Sequence, residues 1–106
     1  MSFIESLGGR DNTALQPVSF QRFELSRILN LYSQRVSAGE WRDYAIDQMP
    51  GRAVFSIFRN SMDRPVFTIT KWGSAEWEIA QGPRSLMLAD TLDKALTVFS
   101  RELRVV

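Results

Sequence analysis

The chain has 106 residues, 44% of them hydrophobic and 24% charged, which is the size and composition of one globular domain. Its 13 basic and 12 acidic residues leave a formal charge of +1, which excludes a bulk field that would recruit nucleic acid or anionic membrane. It contains no cysteine and no histidine, which excludes disulfides, thiol nucleophiles and the usual ligands of zinc. Only oxygen-ligated Mg²⁺ or Ca²⁺ remains as metal chemistry, and we expect neither a metal nor a cofactor.

The N-terminal region predicts a tail and no membrane segment. No stretch reaches the ~18 consecutive apolar residues that a membrane helix needs, and "MSFIESLGGRD" lacks the basic start of a signal peptide. We therefore expect a cytoplasmic location. Glycines, "RDNT" and Pro17 interrupt any periodicity, so residues 1–18 are predicted to be a flexible tail and residues 19–106 a single domain.

The first predicted element is a helix from about Arg22 to Ala38. Apolar residues recur there at helical spacing and form one stripe: Leu25, Ile28, Leu29, Tyr32 and Val36. Glu24 is placed to accept a bond from the backbone of the weak cap Gln21, and Gly39 is placed to end the helix in a left-handed conformation.

Several strand-like runs follow, divided by turn residues. Pro50-Gly51 suits a type II turn, and Gly73 and Gly82 mark two further turns. Aromatic and β-branched residues dominate the runs, and two of them alternate polar with apolar side chains. The runs are "DYAIDQM", "RAVFSIFRN", "VFTITKW", "EWEIAQ" and a short "SLMLA" that adds a fifth, edge strand.

A closing helix is predicted from about Thr91 to Leu103, with Asp90 as its N-cap. The order α-β-β-β-β-(β)-α with short loops indicates an α+β fold. We expect an antiparallel meander of four to five strands with the N-terminal and the C-terminal helix packed on one face.

The stretch "GEWRDYAID" follows the first helix and concentrates ionisable and aromatic residues. If it is extended, alternation separates Glu40, Arg42 and Tyr44 from Trp41 and Asp43. It is interpreted either as the seam between helix and sheet or as a binding surface.

The carboxylates of this stretch match an acid–base site poorly. Asp43 and Asp47 share a face but stand roughly 13 Å apart at about 3.3 Å per residue. Catalytic carboxyl pairs of glycosidases lie about 5 to 9.5 Å apart. Glu40 pairs with Arg42 in this interpretation, which lowers its pKa, away from that of a general acid. We predict no catalytic residue.

Two neighbouring residues near the end of the third strand are singled out. Lys71 is one of two lysines, and its strand-end position predicts a structural residue near solvent. Trp72 lies opposite the Phe67 and Ile69 face, so we expect it to be exposed, as interface anchors are.

Eleven of the 13 cations are arginines, which raises nucleic-acid binding as an alternative. "GRAVFSIF" does not provide an RNA-stacking platform, because Phe55 and Phe58 are three apart and face opposite sides of a strand. An arginine surface on or near the first helix would be the contact, and a solvated helix face is the other interpretation. Its members would be Arg22, Arg27, Arg35, Arg42 and Arg59.

Residues Val18 to Arg59 resemble the alphaproteobacterial domain-of-unknown-function family 2794. The family pattern F-x-R-x-E-L-x-x-I-L-x-L-Y matches Phe20 to Tyr32, A-G-E-W-R-D-Y-A-I-D matches Ala38 to Asp47, and R-A-V-F-S-x-F-R matches Arg52 to Arg59. Pro65, Ile69 and Lys71 fit the next strand. Before its last helix the family carries a lysine-arginine-glycine-histidine run where this chain has "LMLADT", so nothing is carried over from that run. The resemblance implies a small bacterial cytoplasmic protein and supplies no catalytic residues.

Three functional hypotheses follow. The first is a non-enzymatic interaction or regulatory domain that binds itself as a homodimer or binds a partner protein. Its predicted binding residues are Glu40, Trp41, Arg42, Asp43, Tyr44 and Trp72. The second is a weak RNA- or DNA-binding module that uses the arginines named above. The third is a small-ligand binder or carboxylate-based enzyme, which requires that Glu40, Arg42, Asp43 and Tyr44 line a deep pocket.

Overall fold

A computed structural model describes residues 17–60 and 64–104, the last four of these by their backbone only. One helix precedes and one helix follows a five-stranded antiparallel sheet along the chain, which confirms the predicted α+β arrangement. The elements are α1 (Arg22–Ser37), β1 (Asp43–Met49), β2 (Arg52–Phe58), β3 (Phe67–Trp72), β4 (Glu76–Gln81), β5 (Arg84–Ala89) and α2 (Leu92–Arg104). Apart from Pro17 and Val18, the predicted tail lies outside the described residues.

The strands follow one another in the sheet in chain order, β1-β2-β3-β4-β5, so β1 and β5 are its two edges. Short turns make this meander possible. Pro50 and Gly51 alone join β1 to β2, with Pro50 first and Gly51 second at a φ of 82° that suits glycine. The short "SLMLA" run is part of β5, the predicted fifth strand.

One face of the sheet carries the core, and both helices pack on it. Phe55 and Ile69 lie opposite each other on β2 and β3 and are 0% exposed. Tyr32 of α1 lies 6.1 Å from Phe55, measured between ring centres, and Phe99 of α2 lies 5.1 Å edge-on from Phe67. The other face carries neither described helix. Neither helix has the length and apolar content that a bilayer crossing requires.

The buried side of α1 is rotated from its predicted apolar stripe. Val36 belongs to that stripe, yet it is exposed, whereas Glu24 and Arg35 are buried beside Ile28. The predicted position of Val36 in the core is therefore wrong. The physical reason is that Glu24 and Arg35 each find an ionic partner elsewhere in the fold, so the helix turns two charged residues inward.

The N-terminus of α2 is capped one residue later than predicted. Thr91 Oγ1 accepts a hydrogen bond of 3.1 Å from the backbone nitrogen of Lys94, so Thr91 is the N-cap. Asp90 instead accepts a bond of 3.1 Å from the side chain of Lys94, and this bond lowers the pKa of Asp90. Because the pKa is lowered, the Asp90–Lys94 contact stabilises the folded chain above the ordinary pKa of aspartate. This stabilisation is lost as the pH falls through the pKa of Asp90 in the folded chain.

The cap assignment makes a testable prediction. Thr91→Ala is expected to lower the free energy of unfolding by about 0.5–2 kcal/mol, because a backbone N–H of α2 loses its acceptor. Asp90→Asn is the comparison and is expected to lower the free energy of unfolding less than Thr91→Ala does, with both variants measured at a dilution at which the chain does not self-associate. Urea titrations followed by circular dichroism measure both variants. A larger loss for Asp90→Asn than for Thr91→Ala would contradict the assignment.

Candidate interaction surface

Trp41 is part of the core, not of a surface. It precedes β1, is 1% exposed, and meets Phe99 of α2 edge-on at 5.3 Å between ring centres. The prediction that Trp41 belongs to a binding surface is therefore wrong. The strand begins only at Asp43, so the alternation expected from Glu40 onward does not apply to the residues before it.

Arg35 ties the end of α1 to α2 and to this stretch. Its Nη1 donates to Oε1 of Glu40 at 2.9 Å, its Nη2 donates to the carbonyl of Phe99, and its guanidinium carbon lies 5.1 Å from the centre of the Trp41 ring. At 3% exposure it has no phosphate-binding surface to offer, so its inclusion among the nucleic-acid contacts is wrong. Glu40 pairs with Arg35 and not with Arg42, and its carboxylate braces the fold.

Three exposed residues follow: Arg42, Asp43 and Tyr44. The Arg42 carbonyl and the Tyr44 ring nevertheless contact other parts of the fold. The Tyr32 hydroxyl donates to the carbonyl of Arg42 at 2.9 Å, and the Tyr44 ring stacks on Phe55 at 4.9 Å. Partial burial, followed by the nearby charge of Asp43, raises the pKa of Tyr32. Tyrosine is ordinarily protonated at neutral pH, and the raised pKa favours the same donor form of Tyr32. The stretch "GEWRDYAID" is largely the seam between α1 and the sheet.

The carboxylates of this stretch do not converge. On β1, Asp43 lies opposite Phe58 and Asp47 lies opposite Val54 of β2. Both carboxylates are on the face that carries neither described helix, and the pair Ala45–Ser56 lies between them. Within residues 17–60 and 64–100, no three acidic side chains come close enough together to hold a metal ion. None of the four clefts described in this part of the chain is lined by Glu40, Arg42, Asp43 or Tyr44.

Lys71 is buried, which corrects its predicted place near solvent. Its ammonium group donates to Oε1 of Glu24 at 2.8 Å and to the carbonyl of Ser19 at 3.1 Å. The same Glu24 oxygen accepts a bond of 2.7 Å from the backbone nitrogen of Gln21, as the predicted capping box requires. The start of α1 covers this end of β3 because Glu24 supplies the charge that Lys71 needs.

The remaining arginines lie in two groups. Arg22 and Arg27 are on the first half of α1, where Arg27 pairs with Asp93 of α2. Arg42 and Arg59 lie beyond the other end of the helix, where Arg59 Nε donates to the carbonyl of Glu40 at 3.2 Å. From Arg27 to the end of α1 is roughly 15 Å at about 1.5 Å per residue. The arginines thus form two separate patches and no single stripe.

Trp72 is exposed, as its alternation predicts, on the face opposite the helices. The Arg52 guanidinium carbon lies 5.2 Å from its ring centre, and its indole nitrogen donates to Oε1 of Glu78 at 3.0 Å. These contacts fix the orientation of the ring and leave its apolar surface partly open. A cleft that we call the Trp72 cleft adjoins it, lined by Trp72, Gly73, Ser74, Ala75, Glu76, Leu88, Ala89 and Asp90.

The outer side of β5 is the feature that the sequence reasoning missed. Leu88 is 61% exposed, the highest value among the large apolar side chains described. A second cleft runs beside it, and we call it the β5 edge groove. It is lined by Met87, Leu88, Ala89, Asp90, Lys94 and Thr97, so it shares its middle residues with the Trp72 cleft. The sequence feature that could have indicated this surface is the run "SLMLA", which carries no charge.

The opposite edge of the sheet is protected. β1 carries exposed Asp43 and Asp47, and the backbone nitrogen of Val18 donates to the carbonyl of Met49 at 3.3 Å. Pro17 forms a bridge with Pro50 at the same end. Charges and a covering segment are the usual means by which an edge strand avoids pairing with other chains. Between Arg84 and Asp90, β5 has neither charge nor proline.

A family model described as "protein of unknown function (DUF2794)" matches residues 18–81, more than half of the chain, from the segment before α1 to the end of β4. The resemblance seen in the sequence is thereby confirmed and extends beyond Trp72. No curated protein and no solved structure matches the chain. β5 and α2 lie after the matched residues.

Proposed function

We propose that this chain, which belongs to the DUF2794 family, is a non-enzymatic protein-interaction domain that binds a partner strand along the outer side of β5. The observation that carries the proposal is Leu88, which stands 61% exposed on an edge strand that has no charged residue between Arg84 and Asp90. An exposed apolar edge strand is a template for pairing with another chain.

The contrast between the two edges supports this choice of surface. Natural proteins protect their edge strands with charges, proline, bulges or covering segments, and β1 has charges, proline and a covering segment close by. No described residue of the chain pairs with the outer side of β5, because β5 is last in the strand order. β5 has a bulge at Leu86, but it carries no charge and no proline between Arg84 and Asp90. An edge with fewer protections than its counterpart is the one on which a partner strand can pair.

The side chains beside β5 supply the contacts that strand addition requires. Backbone hydrogen bonds give affinity in this binding mode, and pockets for alternate side chains give specificity. The β5 edge groove lies along the strand, and the Trp72 cleft connects Leu88 to a partly exposed tryptophan on β3. Tryptophan is enriched among residues that dominate the binding energy of interfaces. Trp72 lies on β3, two strands inward from β5, so it reaches a partner only across the cleft that it shares with Leu88.

Site-specific photo-crosslinking in cells tests the proposal. A photoreactive residue at Ser85, exposed on β5, is expected to form protein adducts, and Leu88→Lys is expected to abolish them by adding charge to the edge. Leu88→Lys should change the free energy of unfolding by no more than about 0.5 kcal/mol, since the side chain is exposed.

Val36→Lys is the matched control, because Val36 is an exposed apolar residue on α1. Adducts from Ser85 should persist in that variant. Absence of protein adducts from Ser85, or adducts that survive Leu88→Lys, would refute binding along β5.

A further inference from the structure

We infer that the strand which pairs with β5 is β5 of a second copy of this chain, in antiparallel orientation about a two-fold axis. This inference rests on the proposed function and names its partner. Most homodimers have such two-fold symmetry, in which one surface patch meets itself. The patch must therefore be self-complementary, and the charges at the two ends of β5 meet that condition.

The ends of β5 carry opposite charges. Arg84 begins the strand, Asp90 follows its last residue, and the five residues between them are uncharged. In an antiparallel pair of β5 strands, the Arg84 end of each copy lies against the Asp90 end of the other. Opposite charges across two strands stabilise the pairing, and like charges oppose it. A parallel pair would bring like ends together, so the charges favour the antiparallel arrangement.

Both charged groups are available for a second copy. Arg84 and Asp90 are exposed, and the described contact of the Arg84 guanidinium is a long one of 3.4 Å to Gln81. Lys94 bonds Oδ1 of Asp90 and lowers the pKa of that carboxyl, which keeps it ionised well into the acidic range. Asp90 therefore offers a carboxylate at neutral pH with a second oxygen that can accept from an arginine.

The middle of the strand provides apolar contact between the two charged ends. Leu86 and Met87 are half-buried, and Leu88 projects into solvent next to the β5 edge groove. Leu88 lies opposite Glu78, on the face that carries neither described helix. Pairing β5 with a second copy would place an apolar strand beside Leu88 and join two five-stranded sheets into one of ten strands. The same contact would pair the outer backbone groups of β5.

Charge reversal at the two ends tests the inference. Sedimentation equilibrium of the purified full chain at neutral pH is expected to show a dimer. Arg84→Glu places two acidic groups together at both ends of the interface, and Asp90→Arg places two basic groups there. Each single variant is expected to weaken the dimer by about tenfold or more.

An equimolar mixture of the Arg84→Glu and Asp90→Arg chains is expected to restore the dimer, because each end of the mixed pair then joins opposite charges. Thermal unfolding of each variant shows whether it remains folded, and recovery in the mixture excludes misfolding as the cause of weaker association. A dimer that neither variant weakens, or a mixture that fails to recover, would overturn the inference.

The two proposals fail differently. If the wild-type chain sediments as a monomer and Ser85 forms adducts with a different protein only, the second copy is ruled out and binding along β5 stands. If the chain is a monomer and Ser85 forms no protein adduct, both proposals are refuted.

Discussion

Lys71→Met is expected to lower the free energy of unfolding by about 3–5 kcal/mol, because it leaves the carboxylate of Glu24 buried without its counter-charge. The side chains of Lys71 and Glu24 are only 5% and 9% exposed, so water cannot replace the lost partner. The ion pair joins β3 to the first turn of α1, 47 positions apart in the chain. Its loss therefore also loosens the helix that covers this part of the core.

The double variant Glu24→Met/Lys71→Met is expected to recover most of that loss. A buried ion pair that is replaced by apolar side chains of similar volume is often neutral for stability, since the desolvation of both charges disappears together. Part of the loss should remain, because Glu24 also accepts the bond from the backbone nitrogen of Gln21. Arg27→Met is the matched control, since Arg27 forms an exposed pair of low value with Asp93.

Denaturant titrations of the wild type, the two single variants and the double variant form a double-mutant cycle. All four are compared at one protein concentration, because self-association would stabilise the folded chain by mass action. Equal and additive losses for Glu24→Met and Lys71→Met would show that the two charges do not interact in the folded protein.

Trp41→Ala is expected to lower the free energy of unfolding by about 3–5 kcal/mol, the range for removal of a large aromatic side chain from a core. Trp41 is 1% exposed and contacts both the Arg35 guanidinium and Phe99 of α2. Its removal opens a cavity where α1, α2 and the sheet meet. The loss would appear as a lower urea midpoint and a lower melting temperature.

Arg42→Ala is the neighbouring control. The described hydrogen bonds of Arg42 use its backbone, with its nitrogen donating to Phe58 and its carbonyl accepting from Tyr32, so alanine keeps both. The expected change is within about 0.5 kcal/mol, as for most exposed positions. A small effect of Trp41→Ala together with a large effect of Arg42→Ala would contradict the core role of Trp41.

Features that depend on neighbours in sequence were predictable. The apolar period of α1, the Pro50-Gly51 turn and the alternation that exposes Trp72 each involve a few consecutive residues, so local sterics and side-chain spacing determine them. The capping contact of Glu24 with Gln21 spans three residues and was predictable for the same reason.

The burial of charged side chains was not predictable, because it depends on partners that are distant in sequence. Nothing near Arg35 in the chain indicates that the carbonyl of Phe99, 64 positions away, will accept its hydrogen bond. The apolar stripe alone places Val36 inward, and the rotation of α1 follows only once Glu24 and Arg35 have their partners. Trp41 is likewise drawn into the core by contact with α2.

The amino-acid sequence by itself determined the elements, their order and the chemistry that the chain lacks, since helical period, strand alternation, turn residues and composition are local properties. Tertiary structure decided which charges are buried and which strand is left at an open edge of the sheet. "SLMLA" becomes an open edge only because β5 lies last in the sheet and no described element pairs with its outer side. Whether a strand lies at an exposed edge depends on the order of strands in the assembled sheet, so the sequence of that strand alone does not determine it.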